Sequence, residues 1–276
     1  MKLKLRTSLR VLLVASLFAL VLPSLASAAT LPTVGVSGKP GAITITGADA
    51  LAPGATTFAF SGTGKNVDLL LVRLKAGKTA DELVAAAARS RDATKLQRKF
   101  GDFVAGAALA KGQTSSVDVD LTAADYVLID ITRKPKNVGT FTVAGTPTGA
   151  TLSNGDASIT LKDFRIVASR RLPKNGAIRV HNRGPSPHFI VAFPLRPGAN
   201  ARDALKFLKA GKDRKFGALG GGPPISLVEL LSPGVTNVLH VKLHAGTWVL
   251  ACFYSDAHSR GMPHMMLGME TAVRVK

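Results

Sequence analysis

The chain has 276 residues, with 36 Lys and Arg against 17 Asp and Glu, a formal net charge of +19, and a single Cys. One Cys excludes an internal disulfide framework. Only 5% of the residues are aromatic and the basic side chains are spread through both halves, so base-stacking rings are few and no reading element for specific nucleic-acid recognition is recognisable. A field of this sign favours an acidic protein or an anionic cell envelope instead.

In chain order, the first segment reads as an export signal. Lys2, Lys4, Arg6 and Arg10 precede an apolar run over residues 11–25, and Ala26-Ser27-Ala28 forms a small-x-small cleavage site before Ala29. The run is too short for a comfortable membrane span and contains Pro23. Residues 1–28 are therefore expected to be removed, leaving an exported chain with no transmembrane segment, secreted, periplasmic or associated with the cell wall.

Short alternating runs rich in Val, Ile, Thr and Phe then predict strands over residues 42–46, 56–61, 67–74, 117–121 and 126–132. One helix interrupts them over residues 80–100, where Leu83, Val84, Ala87 and Ala88 recur at helical spacing. A polar stretch of small residues over 146–156 reads as a linker. The pattern then restarts, with strands over 157–167, 177–181 and 188–195, a helix near 201–212, and strands over 225–231, 235–243, 247–254 and 271–275.

The restart goes beyond pattern. Leu74-Lys75-Ala76-Gly77 matches Leu195-Arg196-Pro197-Gly198, Lys111-Gly112 matches Pro233-Gly234, and Ala124-Asp125-Tyr126-Val127-Leu128 runs without a gap against Gly246-Thr247-Trp248-Val249-Leu250. Two copies of one fold, over residues 29–145 and 157–276, are the economical reading. The expectation is an all-β protein of two tandem Greek-key β-sandwich domains, each with one inserted helix. Register places Cys252 opposite Asp130 and His188 opposite Val67 or Asp68, so the first copy lacks both residues. Twelve residues separate Asp130 from Val143 and twenty-two separate Cys252 from Val275, which gives the second copy a ten-residue insertion over much of 255–269.

All six His lie in the second copy, and Met262, Met265, Met266 and Met269 all lie in the inserted segment directly after the only Cys. Thiolate and thioether ligands favour copper, and imidazole suits copper or zinc. A lone Cys, His or Met is ordinarily a packing residue. Their joint absence from the other copy is what packing alone leaves unexplained.

These segments resemble the cupredoxins, the plastocyanin-like blue copper proteins. Asn182-Arg183-Gly184-Pro185-Ser186-Pro187-His188 looks like the segment leading into the first copper-binding His, and Trp248-Val249-Leu250-Ala251-Cys252 like the strand that delivers the ligand Cys. Pro263-His264-Met265-Met266-Leu267-Gly268-Met269 resembles the last ligand loop, with four residues between His and an axial Met. The resemblance implies one type 1-like copper ion held by His188, Cys252, His264 and Met269. In one respect the chain departs from plastocyanin and azurin: eleven residues, instead of a few, separate Cys252 from His264. His258 with Met262 remains a rival pair.

What the resemblance implies is electron transfer or copper handling, with an acidic redox partner or the anionic envelope as the natural contact. Copper oxidases and nitrite reductases resemble cupredoxins in which His residues flank the ligand Cys, whereas Ala251 and Phe253 flank Cys252, so enzymatic activity is not expected. The alternative is a copper-free cupredoxin-like module that binds through its basic surface. No Gly-x-Ser-x-Gly elbow is found, and Gly220-Gly221-Gly222-Pro223-Pro224 reads as a turn, since nothing like Gly-Lys-Ser follows it.

Overall fold

Side chains that alternate between buried and exposed favour extended backbone, and the computed structural model is dominated by strands. It describes residues 30–90, 92–132 and 138–276; the export signal expected at residues 1–28 lies outside the described residues. The first half contains β1 (Thr33–Lys39), β2 (Ala42–Thr46), β3 (Gly54–Gly62), β4 (Val67–Leu74), α1 (Ala80–Ala87), α2 (Ala93–Phe100), β5 (Gly101–Leu109), β6 (Thr114–Leu121), β7 (Ala124–Asp130) and β8 (Val138–Val143). The second contains β9 (Ala157–Lys162), β10 (Arg165–Ala168), β11 (Arg171–Leu172), β12 (Asn175–Asn182), β13 (His188–Pro194), α3 (Ala201–Lys209), α4 (Asp213–Gly217), β14 (Ile225–Leu231), β15 (Thr236–Lys242), β16 (Gly246–Ala251) and β17 (Glu270–Val275). The fold is all-β, as expected. β1 and β5 escape the hydrophobic pattern because Gly and Ala dilute it in TVGVSGK and GDFVAGAAL.

Each half inserts two short helices where one is expected. Asp92 restarts the first insertion as an N-cap, its side chain accepting from the Lys95 amide at 3.0 Å, and a cap inside a helical span competes with its continuation. In the second, Gly211 at φ 61° turns the chain out of α3 before α4 begins. The predicted strand over residues 157–167 is likewise a hairpin. β9 and β10 pair antiparallel with Lys162 opposite Arg165, which leaves Asp163 and Phe164 at the tip.

The strands form three sheets: β10-β9-β12-β15-β6-β3-β1-β2, β11-β17-β16-β13-β14, and β5-β4-β7-β8. The long sheet is joined at its centre by β6 and β15, antiparallel from Asn237 opposite Val119 to His240 opposite Ser116. Side chains at and beside that seam also tie the halves together. Asp118 accepts a hydrogen bond from Thr57 Oγ1 at 2.8 Å and meets His240 Nε2 at 2.9 Å, while the Phe103 amide donates to Ser232 Oγ at 2.8 Å. One hydrophobic core runs through both halves, from Val34 to Val275. Residues 144–156 are strapped to both: the Ala55 amide donates to the Ala150 carbonyl at 3.0 Å, and Arg179 Nη1 to the Ser153 carbonyl at 2.7 Å.

β16 is buried on both faces. Trp248 and Leu250, continued by Cys252 and Tyr254, enter the main core. Val249 and Ala251 face the other way, into a small cluster with Leu195, Ala204, Leu208 and Met265 under α3. The period of two thus places Cys252 on the inner side although it lies one residue past the strand.

Candidate metal centre

Asn182, at the end of β12, organises the approach to the first candidate ligand. Its side-chain amide donates to the carbonyls of Ser186 at 2.9 Å and Leu231 at 2.8 Å, and its oxygen accepts from the Gly184 amide at 2.9 Å. The turn thus held delivers His188 to the head of β13. Cys252 follows β16, its amide donating to the Met269 carbonyl at 3.1 Å and its carbonyl accepting from the Met265 amide at 2.8 Å.

The long spacing from Cys252 to His264 closes on itself. The His264 amide donates to the Tyr254 carbonyl at 2.8 Å, and the excursion between them is knotted by Asp256 and Ser259, whose side chains exchange hydrogen bonds with each other's main-chain amides at 3.0 and 2.8 Å. His264 opens a 3-10 turn over His264–Leu267 that ends at Gly268, φ 112°, and its carbonyl accepts from the Met269 amide at 3.1 Å. Folding the excursion back returns His264 to the Cys252 side.

His188 Nδ1 and His264 Nδ1 lie 3.1 Å apart, and each is 3.9 Å from Cys252 Sγ. All three residues are fully buried. These separations fit donors around one ion with bonds of about 2.1 Å to nitrogen and about 2.3 Å to sulfur. The far ring atoms complete the case. His188 Nε2 meets Asp163 Oδ1 at 2.7 Å, which leaves Nδ1 free to offer its lone pair. His264 Nε2 is buried without a hydrogen-bond partner, 3.6 Å from Asp256 Oδ1. Carboxylates behind imidazoles are the usual outer support of a metal site. Among the described residues this is the group of three with the spacing of metal ligands.

Of the rival pair, His258 sits at the surface, its Nε2 3.6 Å from Asp163 Oδ2 and its ring 5.5 Å from that of Phe164. Met262 is 41% exposed and Met266 44%, whereas Met269 is wholly buried in the same core as Cys252. Two other imidazoles have other partners: His181 Nδ1 is 2.6 Å from Thr236 Oγ1, and His240 Nε2 is 2.9 Å from Asp118 Oδ2. Asp163, Asp256 and Phe164 are absent from the sequence reading. A carboxylate in a turn or an aromatic at a strand end carries no periodic signal of its own.

No family profile matches the chain, and no curated protein matches it. Among solved structures, auracyanin A, a blue copper protein of Chloroflexus aurantiacus, is 18% identical with a TM-score of 0.29, over 41% of this chain and 98% of its own. Auracyanin of Roseiflexus castenholzii is 16% identical with a TM-score of 0.25, over 43% and 94%. Lac15, from a marine microbial metagenome, is 14% identical with a TM-score of 0.28, over 80% of this chain and 61% of its own. Likenesses of this size carry no argument about chemistry, which rests on this chain's own side chains.

The electrostatics favour a cation at the three donors. Burial pushes the Cys252 thiol up to about 12, so without a metal it stays protonated and inert. Burial, then the nearby His188, holds His264 below the usual imidazole range and keeps it neutral. Burial raises Asp163, but the hydrogen bonds from His188 and Ser186 outweigh it and leave that carboxyl below its ordinary value. Asp256 is lowered too, its burial outweighed first by the Ser259 amide.

Gly184 is required by this crowding. A Cβ there would lie 2.4 Å from Asp163 Oδ1 and 2.8 Å from His188 Nε2. Gly184→Ala should therefore displace the His188–Asp163 pair and destabilise the fold by about 1–3 kcal/mol, measured by urea unfolding. Wild-type stability in this variant would mean that the turn has room to give.

Proposed function

We propose that this chain is an exported, mononuclear, type 1-like copper protein that transfers electrons or handles copper. We also infer that its halves are copies of one cupredoxin-like fold, of which the second alone keeps ligands. The observation that carries the proposal is the convergence of one sulfur and two imidazole Nδ1 atoms, fully buried and at most 3.9 Å apart. Met269 would be the fourth residue to hold the ion, because its side chain is wholly buried in the Cys252 core and its main chain bridges Cys252 and His264.

Copper held there would supply a one-electron couple. What the chain contributes is a fixed, dry set of donors. Asp163 fixes the His188 ring, Phe164 and Tyr254 pack against His264 at 4.8 and 5.4 Å, and α3 covers the outer face of β16. Ligands locked in this way need little rearrangement when the charge at the site changes. The role is that of a carrier, since Ala251 and Phe253 offer no imidazole path to a second site. Phe253, Met262 and Met266 are exposed near this end, and Arg202, Lys206, Lys209 and Lys212 lie exposed in and just beyond α3, a combination suited to an acidic partner.

Titrating Cu(II) into the purified chain should raise an intense visible thiolate-to-copper band that saturates at one equivalent. A colourless protein that takes up no copper would overturn the proposal.

A further inference from the structure

The ligand-bearing loop is held from the half that has no ligands. Thr94 stands in the first turn of α2, where a backbone N–H has no acceptor within the helix. That N–H donates to Tyr254 Oη at 2.8 Å, across 160 positions of sequence. Thr94 Oγ1 lies 2.8 Å from the same Oη and donates to Asp256 Oδ2 at 3.3 Å. The consistent assignment is a relay in which the Tyr254 hydroxyl donates to Thr94 and Thr94 donates onward to Asp256.

Both loop residues in this relay touch His264. The Tyr254 carbonyl accepts from the His264 amide at 2.8 Å and its ring packs edge-on to the imidazole, while Asp256 Oδ1 lies 3.6 Å from the unpartnered His264 Nε2. Around the relay stand Asp92, which caps α2, and Ser259, which ties Asp256.

We propose that Thr94 is a positioning residue for the metal site: the first half, bare of ligands, sets the place of His264 through Tyr254 and Asp256. The inference rests on the copper reading for its spectroscopic arm alone. Thr94→Val keeps the shape of the side chain and removes the hydroxyl. In the metal-free full-length protein it should speed hydrogen exchange of amides over residues 255–264 about fivefold, the worth of one hydrogen bond, with little change elsewhere. In the copper-loaded protein it should shift the thiolate-to-copper band and the reduction potential, and Thr94→Ser should restore both. Should Thr94→Val not fold, Tyr254→Phe removes the other end of the relay and should act in the same direction. Unchanged loop exchange, or a rise spread evenly over the whole chain, would overturn the proposal. A wild-type chain that binds no copper defeats the copper reading, and the exchange measurement then decides this one.

Discussion

Cys252→Ser should abolish the visible band expected from the copper-loaded wild type and leave a folded, colourless protein. The band arises from a thiolate donor, and Cys252 is the chain's single thiol. A serine oxygen is a harder and far less acidic donor, so the two imidazoles would be left to hold copper without the sulfur that distinguishes the site from an ordinary His pair. Because burial pushes the wild-type thiol up to about 12, taking up the ion must expel the thiol proton, and wild-type affinity should rise with pH over the range where the variant's does not. Absorption and calorimetric titrations at pH 6 and 8 measure both effects. An unchanged band in the variant would show that copper binds elsewhere.

Stability should fall as pH rises from about 5 to about 9, opposite to the trend of a protein held by ionised carboxylates. The cause is a carboxyl pair at the junction of the halves, Asp68 on β4 and Glu229 on β14. Burial, with the neighbouring carboxylates, raises Asp68 to about 6 and Glu229 to about 8, so the two share protons instead of ionising. Gly106 of β5 permits the close approach, for a Cβ there would lie 2.8 Å from Glu229 Cβ. Asp68 Oδ1 and Glu229 Oε1 are buried without hydrogen-bond partners, which is tolerable for a protonated acid and costly for an anion.

The sign follows from the raised values. Below the unfolded carboxyl range both states bind the protons and the pair's contribution is whole; as pH climbs through about 6 and about 8 the unfolded chain has lost them while the folded chain still holds them, and the contribution drains away. A loss on the order of 2–4 kcal/mol is expected for shifts of this size. Asp163 and Asp256 are shifted downward and weaken the fold only toward stronger acid, whereas His264, shifted downward from 6.5, opposes the trend below that value, so the cleanest comparison is between pH 7 and pH 9. In Glu229→Gln most of the slope should vanish, leaving the variant the more stable protein at pH 9. Urea midpoints at pH 5, 7 and 9 decide the matter, and a wild type equally stable at all three would refute it.

The all-β character is legible along the chain as local periodicity, and the clustering of residue types already draws attention to His188 and Cys252, which the structure brings within 3.9 Å of each other. The inserted helices are less so, since Asp92 and Gly211 are weak punctuation that breaks a helix only where packing allows. The resemblance of residues 263–269 to a final ligand loop favours His264 over His258, but spacing keeps His258 as a rival. What separates them is the knot of Asp256 and Ser259, which folds eleven residues back and leaves His258 outside, in solvent. Asp163 reaches His188 because β9 and β10 turn beside β12, and Thr94 reaches Tyr254 because the two halves share a core. Periodicity records which face of an element is buried. It cannot record which distant element that face will meet, and the supports of this site are contacts of that second kind.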